Sequence, residues 1–432
     1  MTPAARISAA IEVLTDIEAR RRPANDALKD WGLAHRFAGS SDRAAIAGLV
    51  YDALRRRASS TYVMGEVTPR ANMLGMLRLE RGLDVEAIAA LFSGARFAPE
   101  PMSDAERERV AAANLDDAPP HIAGDYPEWF DGSFAAVFGE ARVEEGAALA
   151  ARAPLDLRVN TLKVERDSET AELAEYNPEP TGWSPVGLRI VVAPGSRSPA
   201  IQSEPSFIKG GIEIQDEGSQ LAALFSGARP GEQVVDLCAG GGGKTLALAA
   251  MMENTGQIFA TDTDKRRLSP IHARLERAGI RNVQVRTPRG STEILEDLKG
   301  VIDLVLIDAP CSGTGSWRRN PDAKWRMRPG ALEIRQKDQT AVLDRAVPLL
   351  KPGGRIAYIT CSVLDEENGA QIRAFLARHP AFSVEKPDRV AAVLGERGYL
   401  FTKAALISGD GLLMTPRRTG TDGFFVSILR QN

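Results

Sequence analysis

The segment VVDLCAGGGGKT (234–245) constrains the fold of this chain more than any other stretch. An apolar run leads into four consecutive glycines, Gly240 to Gly243, and a helix is expected to start near Thr245. Glycines there let the chain turn sharply between strand and helix and let a ligand approach the backbone. Asp262 closes the next apolar run, 22 positions after Gly240. A doubly wound sheet places an acid at that point to bind ribose hydroxyls, so the pair indicates a nucleoside-containing cofactor. A phosphate-binding loop is the rival reading. GGGGKT resembles the end of G-x-x-x-x-G-K-[ST], and VLID (305–308) resembles a strand ending in a magnesium-binding acid. That motif requires glycine five positions before Gly243, where Cys238 stands, so a P-loop NTPase ranks second.

From residue 230 onward short apolar runs alternate with helical segments. Strands are expected at 233–238, 256–262, 283–286, 302–309, 355–361 and 424–430. Such alternation specifies a parallel sheet covered on both faces, an α/β fold. The first hundred residues read differently. Ile7, Ile11, Leu14 and Ile17 recur at helical spacing, and 42–57 and 72–91 continue that pattern. The Pro- and Asp-rich stretch from Ala98 to Pro127 reads as a linker with some local structure. The 432 residues suggest two or three domains. We expect a helical domain over 1–135, a small α/β connecting subdomain over 136–210 and a Rossmann-like catalytic domain over 211–432.

The formal net charge is −3, so a nucleic-acid surface would have to be a local patch. Three cysteines in a chain of this length do not build a disulfide framework, which fits a reducing compartment. No apolar run approaches the roughly 20 residues of a membrane span, and the run from Ile7 to Leu14 is broken by Glu12. A cytoplasmic, membrane-free monomer is the expectation.

Asp308 and Cys311 lie in IDAPCSGTG (307–315), and Cys361 lies in YITCSVLDEEN (358–368). Each cysteine follows an expected strand, and in an open α/β sheet the loops at carboxyl strand ends form the ligand crevice. A lone cysteine is usually a small buried hydrophobe, which suits Cys238. Cys311 and Cys361 instead sit among Ser, Gly and acidic residues. No metal is expected, because His35, His121, His272 and His379 have no zinc-ligand spacing to the cysteines. Cytosine chemistry accounts for the set. Carbon 5 of cytosine is a poor nucleophile until a thiolate adds to carbon 6. An acid at ring nitrogen 3 eases that addition, and a base must later remove the carbon-5 proton. Cys361, Asp308 and Cys311 are candidates for thiolate, acid and base.

The motifs DLCAGGGGKT (236–245), ATDTDKRRL (260–268), DAPCSGTG (308–315), NPDAKWR (320–326), TCSVLDEEN (360–368) and DGFF (422–425) resemble the Sun (RsmB-like) family of RNA cytosine carbon-5 methyltransferases. IQDEGSQLA (214–222) resembles the segment preceding the family's catalytic core. The resemblance implies a class I methyltransferase core and S-adenosyl-L-methionine as cofactor. It implies Cys361 as nucleophile and Cys311 as the residue assisting product release. It places Cys238, Ala239, Gly240, Gly241, Gly242, Gly243 and Lys244 at the methionine end of the cofactor, Asp262 at the ribose, and Asp308 between cofactor and base. Gly241 stands where the family commonly has proline, and Thr287 stands where it often has an acid touching adenine. The helical region resembles the NusB-like RNA-binding domain of ribosomal RNA members, favouring ribosomal over transfer RNA. A catalytically silent RNA-binding or assembly factor is the alternative from another class.

Residues 311–337 hold seven Lys or Arg and two acids, with Trp317 and Trp325 interleaved. Basic and aromatic side chains together suit phosphate contact and base stacking, so this run is the expected RNA surface. Arg55, Arg56 and Arg57 form a second cluster.

Overall fold

The structure is a computed structural model, described over residues 1–193, 199–288 and 293–432. It divides into two compact units. The first comprises Met1–Ala153, the described Val192 and Ala193, and Trp317–Pro329; the second holds the remainder.

The first unit is helical. Helix Pro3–Arg20 is started by Thr2, whose hydroxyl accepts from the Ala5 amide at 3.2 Å, with proline in the first turn. Ser103 and Glu106 form a reciprocal capping box before helix Asp104–Ala111. Each such cap satisfies amides that a helix start leaves without partners. The apolar positions read from the sequence line one core: Ile7, Leu14 and Ile17 pack with Val50, Leu74 and Ile88, and Ile11 is partly buried beside them. The expected continuous pattern over 72–91 is two helices, Pro69–Leu79 and Val85–Leu91. Gly82 takes a left-handed turn between them, and Asp84 caps the second.

Two expectations change here. The stretch read as a linker contributes core: Met102, Val110 and Tyr126 are buried, and Asp125 is fully enclosed. The expected boundary at 135 falls inside the first unit, which runs on to Ala153 and takes in a segment from beyond residue 310.

The second unit contains two sheets. The smaller has β1 (Leu155–Val159), β2 (Glu179–Pro180), β3 (Gly187–Ile190) and β4 (Ile212–Ile214) in the order β2-β3-β1-β4, paired antiparallel. The larger is built from β5 (Gln233–Asp236), β6 (Gln257–Ala260), β7 (Val283–Val285), β8 (Ile302–Asp308), β9 (Leu350–Thr360), β10 (Phe382–Val384), β11 (Leu406–Ser408), β12 (Gly411–Met414) and β13 (Phe424–Gln431). Its order is β11-β12-β13-β9-β8-β5-β6-β7, with β10 against β13. Strands β5 to β9 run parallel to their neighbours, whereas β13 is antiparallel to β9. The inner strands are buried along nearly their whole length, which explains their continuous apolar runs. Strand order reverses between β5 and β8, so the crevice of this sheet opens there, at the carboxyl ends of β5, β6, β8 and β9.

Candidate active site

The glycine loop leaves β5 at Asp236. Its carboxylate is buried, accepts from the Thr245 hydroxyl at 2.7 Å, and has its second oxygen without a partner. Burial pushes this carboxyl up to about 7. Gly240, with φ of 49°, donates its amide to Asp262 at 2.9 Å, and the other Asp262 oxygen accepts from the Asp264 amide at 2.9 Å. The loop itself thus fixes the acid expected to meet a ribose. Gly242 has φ of 82°, and a Cβ there would lie 2.5 Å from Ile271 Cγ1. Backbone dipoles, a bare turn, a fixed acid and an unpartnered buried carboxyl oxygen fit a nucleoside cofactor ending in an amino acid. Gly242→Ala strains the turn by ~1–3 kcal/mol. We expect it to weaken S-adenosylmethionine binding by about tenfold, because 1.4 kcal/mol is a factor of ten in an equilibrium constant. Calorimetric titration checks this, and an undiminished affinity would remove Gly242 from the cradle.

Lys244 follows the loop. Its side chain is buried, its ammonium lies 2.7 Å from Asp308 Oδ2, and it sits 5.1 Å from the Phe424 ring centroid. One side chain therefore joins the glycine motif, the DAPC motif and DGFF. Cys238 is a free thiol that burial, first of all, pushes well up.

Strands β8 and β9 are parallel neighbours with Asp308 paired to Ile359, so the loops after them leave the sheet side by side. Cys311 Sγ and Cys361 Sγ, 50 positions apart in sequence, lie 3.3 Å from each other as free, hydrogen-bonded cysteines. The hydrogen bond with Cys361, burial, and the charges of Cys361 and Glu367 push the Cys311 thiol well above the ordinary range. Cys311 is thus favoured as a thiol, and either sulfur can donate in the pair.

The two loops are fastened by residues that the motif reading quoted but gave no role. Gly315 donates its amide to the Cys361 carbonyl at 2.9 Å and accepts from the Gly423 amide at 2.8 Å. A Cβ on Gly315 would lie 2.1 Å from the Gly423 carbonyl, so the backbones can approach only as glycines. Thr314 Oγ1 lies 3.1 Å from Ser362 Oγ and accepts from the Val363 amide at 2.9 Å. The buried Glu367 accepts from the amide and hydroxyl of Ser312. The signal for Glu367 was its place in the DEEN run, which composition alone reads as a solvated acidic turn. Thr287 is exposed, and the last two residues of VQVRTPRG (283–290) lie outside the described residues.

The basic run reads differently from expectation. Trp317 is buried against Phe130 and Phe134 in the first unit, with centroids at 5.3 and 5.8 Å. Lys324 is fully buried, and its ammonium donates to the carbonyls of Arg55 and Asp125. Trp325 Nε1 donates to the Leu54 carbonyl at 2.7 Å. These residues anchor the segment in a helical core and are not a stacking surface. Arg326, Arg328, Arg335 and Lys337 remain exposed. Among the described residues no cluster suits a metal ion, and no helix is long and apolar enough to cross a membrane.

A parallel sheet reversing at β5/β8, an antiparallel β13 beside β9, and a glycine loop with its acid define an S-adenosylmethionine-dependent methyltransferase. Comparison with known proteins sharpens this. Residues 224–430 match the model of the family described as 16S rRNA methyltransferase RsmB/F. A probable ribosomal RNA small subunit methyltransferase B of Synechocystis is 32% identical over 309 residues, covering 71% of this chain and 67% of that protein. A ribosomal RNA small subunit methyltransferase B of Citrobacter koseri is 39% identical over 233 residues, 53% of this chain and 52% of the relative. The solved structure of a methyltransferase homolog from Pyrococcus horikoshii superposes with a TM-score of 0.58 at 26% identity, covering 72% of this chain and 98% of that one. The chain belongs to the RsmB/F family of RNA methyltransferases.

Proposed function

We propose that this chain methylates carbon 5 of a cytosine in small-subunit ribosomal RNA, through a covalent bond between Cys361 and ring carbon 6. The observation that carries the reading is the cysteine pair at 3.3 Å, brought together by the loops after adjacent parallel strands. Two sulfurs in hydrogen-bond contact put a nucleophile and a second, proton-handling group on the same target base. S-Adenosylmethionine, when bound, supplies the methyl group. Cys361 Sγ, as the thiolate, adds to carbon 6, and the Asp308–Lys244 pair lends ring nitrogen 3 a proton through the Asp308 carboxyl as charge develops there, taking it back when the carbon–sulfur bond breaks. Once Cys361 is a thioether, two of the causes that raise the Cys311 thiol are gone: its hydrogen bond to the cysteine and the cysteine's charge. Cys311 then releases its proton to water and takes the carbon-5 proton. The carbon–sulfur bond breaks, and its electron pair returns to Cys361. Bisulfite mapping of small-subunit RNA treated with the purified protein and S-adenosylmethionine tests this reading. A new protected cytosine is the expected result, and methyl transfer to another atom or base would overturn it.

A cleft of ≈260 Å³ in the first unit supports RNA as the partner. Arg55, Arg152, Arg318 and Arg319 line it with Tyr51 and Asp52, and Asp52 is itself paired to Arg81. It brings together arginines from both clusters singled out in the sequence. Each phosphate contact contributes about one unit to the slope of log affinity against log salt. Arg152→Glu with Arg319→Glu should lower that slope by about 1–2 and leave S-adenosylmethionine binding unchanged. An unaltered slope would take the cleft off the RNA path.

A further inference from the structure

The proposed reaction gives Cys311 its part but leaves a buried acid beside it without one. Glu367 is fully buried in the short turn Asp365–Glu367. Its Oε1 accepts from the Ser312 amide at 2.7 Å and from Gln339 Nε2 at 3.1 Å, and its other oxygen accepts from the Ser312 hydroxyl. Gln339, equally buried on helix Ala331–Ala346, donates also to the Pro310 carbonyl at 2.9 Å. Pro310 and Ser312 are the residues on either side of Cys311, so both flanking peptides are pinned by one carboxylate–amide pair. Glu367 is fixed in turn: the Tyr358 hydroxyl, rising from β9, donates to its carbonyl at 2.7 Å. Among the described residues no basic side chain pairs with Glu367. A buried carboxylate held only by neutral donors is unfavourable relative to an uncharged residue of the same shape, and burial pushes the Glu367 carboxyl up against the hydrogen bonds that hold it down. Closing the loop alone does not require that charge.

We infer that Glu367, acting through Ser312 and Gln339, is the positioning residue that sets Cys311 against Cys361 and governs release of the methylated RNA. This rests on the covalent reading above. The charge has a use in that setting. Cys311 is faced by Cys361 from the end of β9, by Tyr358 on the same strand and by Glu367, and the carboxylate adds to what keeps Cys311 protonated before attack. A loop displaced by about 1 Å can cost 10²-fold in rate, because proton transfer depends on the donor–acceptor geometry.

The test uses the full chain, transcribed small-subunit ribosomal RNA and labelled S-adenosylmethionine. Turnover, covalent RNA adduct on denaturing gels, and the pH profile of release are measured for wild type, Glu367→Ala, Glu367→Gln and Gln339→Ala. Glu367→Ala should lose about 10²-fold in turnover and accumulate adduct, with KM for S-adenosylmethionine within about twofold of wild type. Glu367→Gln retains an acceptor for Ser312 and should recover most of the turnover. With the charge gone, its release should rise at lower pH than in wild type. Gln339→Ala, which leaves the acid in place, should accumulate adduct to a smaller extent, and it carries the test if Glu367→Ala fails to fold. Wild-type turnover and adduct in Glu367→Ala, or in Gln339→Ala if that variant must decide, would overturn the inference. So would a pH profile unmoved in Glu367→Gln. A wild type that forms neither product nor adduct would instead count against the covalent reading.

Discussion

Cys361→Ala should form no covalent RNA adduct and lose methyl transfer by roughly 10⁴-fold or more, the scale on which removing a nucleophile acts. Cys311→Ala should do the opposite in one respect, accumulating adduct while turnover falls. The asymmetry follows from the geometry. Both sulfurs sit at carboxyl ends of adjacent parallel strands, 3.3 Å apart, and the hydrogen bond with Cys361, burial and Glu367 together favour Cys311 as a thiol. The protonated member cannot open the reaction, and without it the reaction opens but does not finish. Labelled S-adenosylmethionine, small-subunit RNA and a denaturing gel check both variants. Activity retained in Cys361→Ala would exchange the two roles.

Asp125→Ala should destabilise the first unit by about 3–5 kcal/mol, the cost of leaving buried charges and donors without their partner. Asp125 accepts from the Ser59 amide at 3.0 Å and hydroxyl at 2.7 Å, and Arg56 lies 3.5 Å away. The neighbouring Lys324 ammonium rests on the Asp125 carbonyl. Urea unfolding followed by tryptophan fluorescence reads the loss, since Trp317 is enclosed in this unit. A midpoint equal to wild type would show that the network carries no stability. The same network gives a pH dependence. Burial pushes Lys324 from its ordinary 10.5 down to about 7. Between those values the unfolded chain holds a proton that the folded unit does not, so stability climbs as pH rises from about 7 towards 10. Lys324→Met should abolish that climb.

Much of the catalytic half is legible before any coordinates, because its chemistry is written in contiguous motifs. The apolar runs of β5, β6, β8 and β9, the glycines at 240–243 and Asp262 each occupy their expected positions in the sheet. What sequence could not show is which charged residues are enclosed. Lys324 and Trp317 have the composition of an RNA-facing run, yet their surroundings come from residues nearly two hundred or more positions away. Asp125 and Tyr126 sit in a Pro- and Asp-rich stretch whose local character is that of a connector. Local periodicity carries no record of such distant neighbours. Glu367 belongs to the same class: three acids in a row describe a solvated turn until the third is found under Ser312 and Gln339.

The helical unit is not a bead on the amino-terminal end of a string. Trp317–Pro329, which begins six positions after Cys311, completes its interior. Deleting residues 1–153 to obtain a smaller enzyme would strip the cover from Trp317, Lys324 and Trp325 within the segment that leads away from Cys311. The excised helices would lack a tryptophan and a lysine that their core is built around. The helices and the 317–329 segment are therefore exchangeable only together. Swapping the front half between relatives should succeed only when the thirteen-residue insert at 317–329 travels with it.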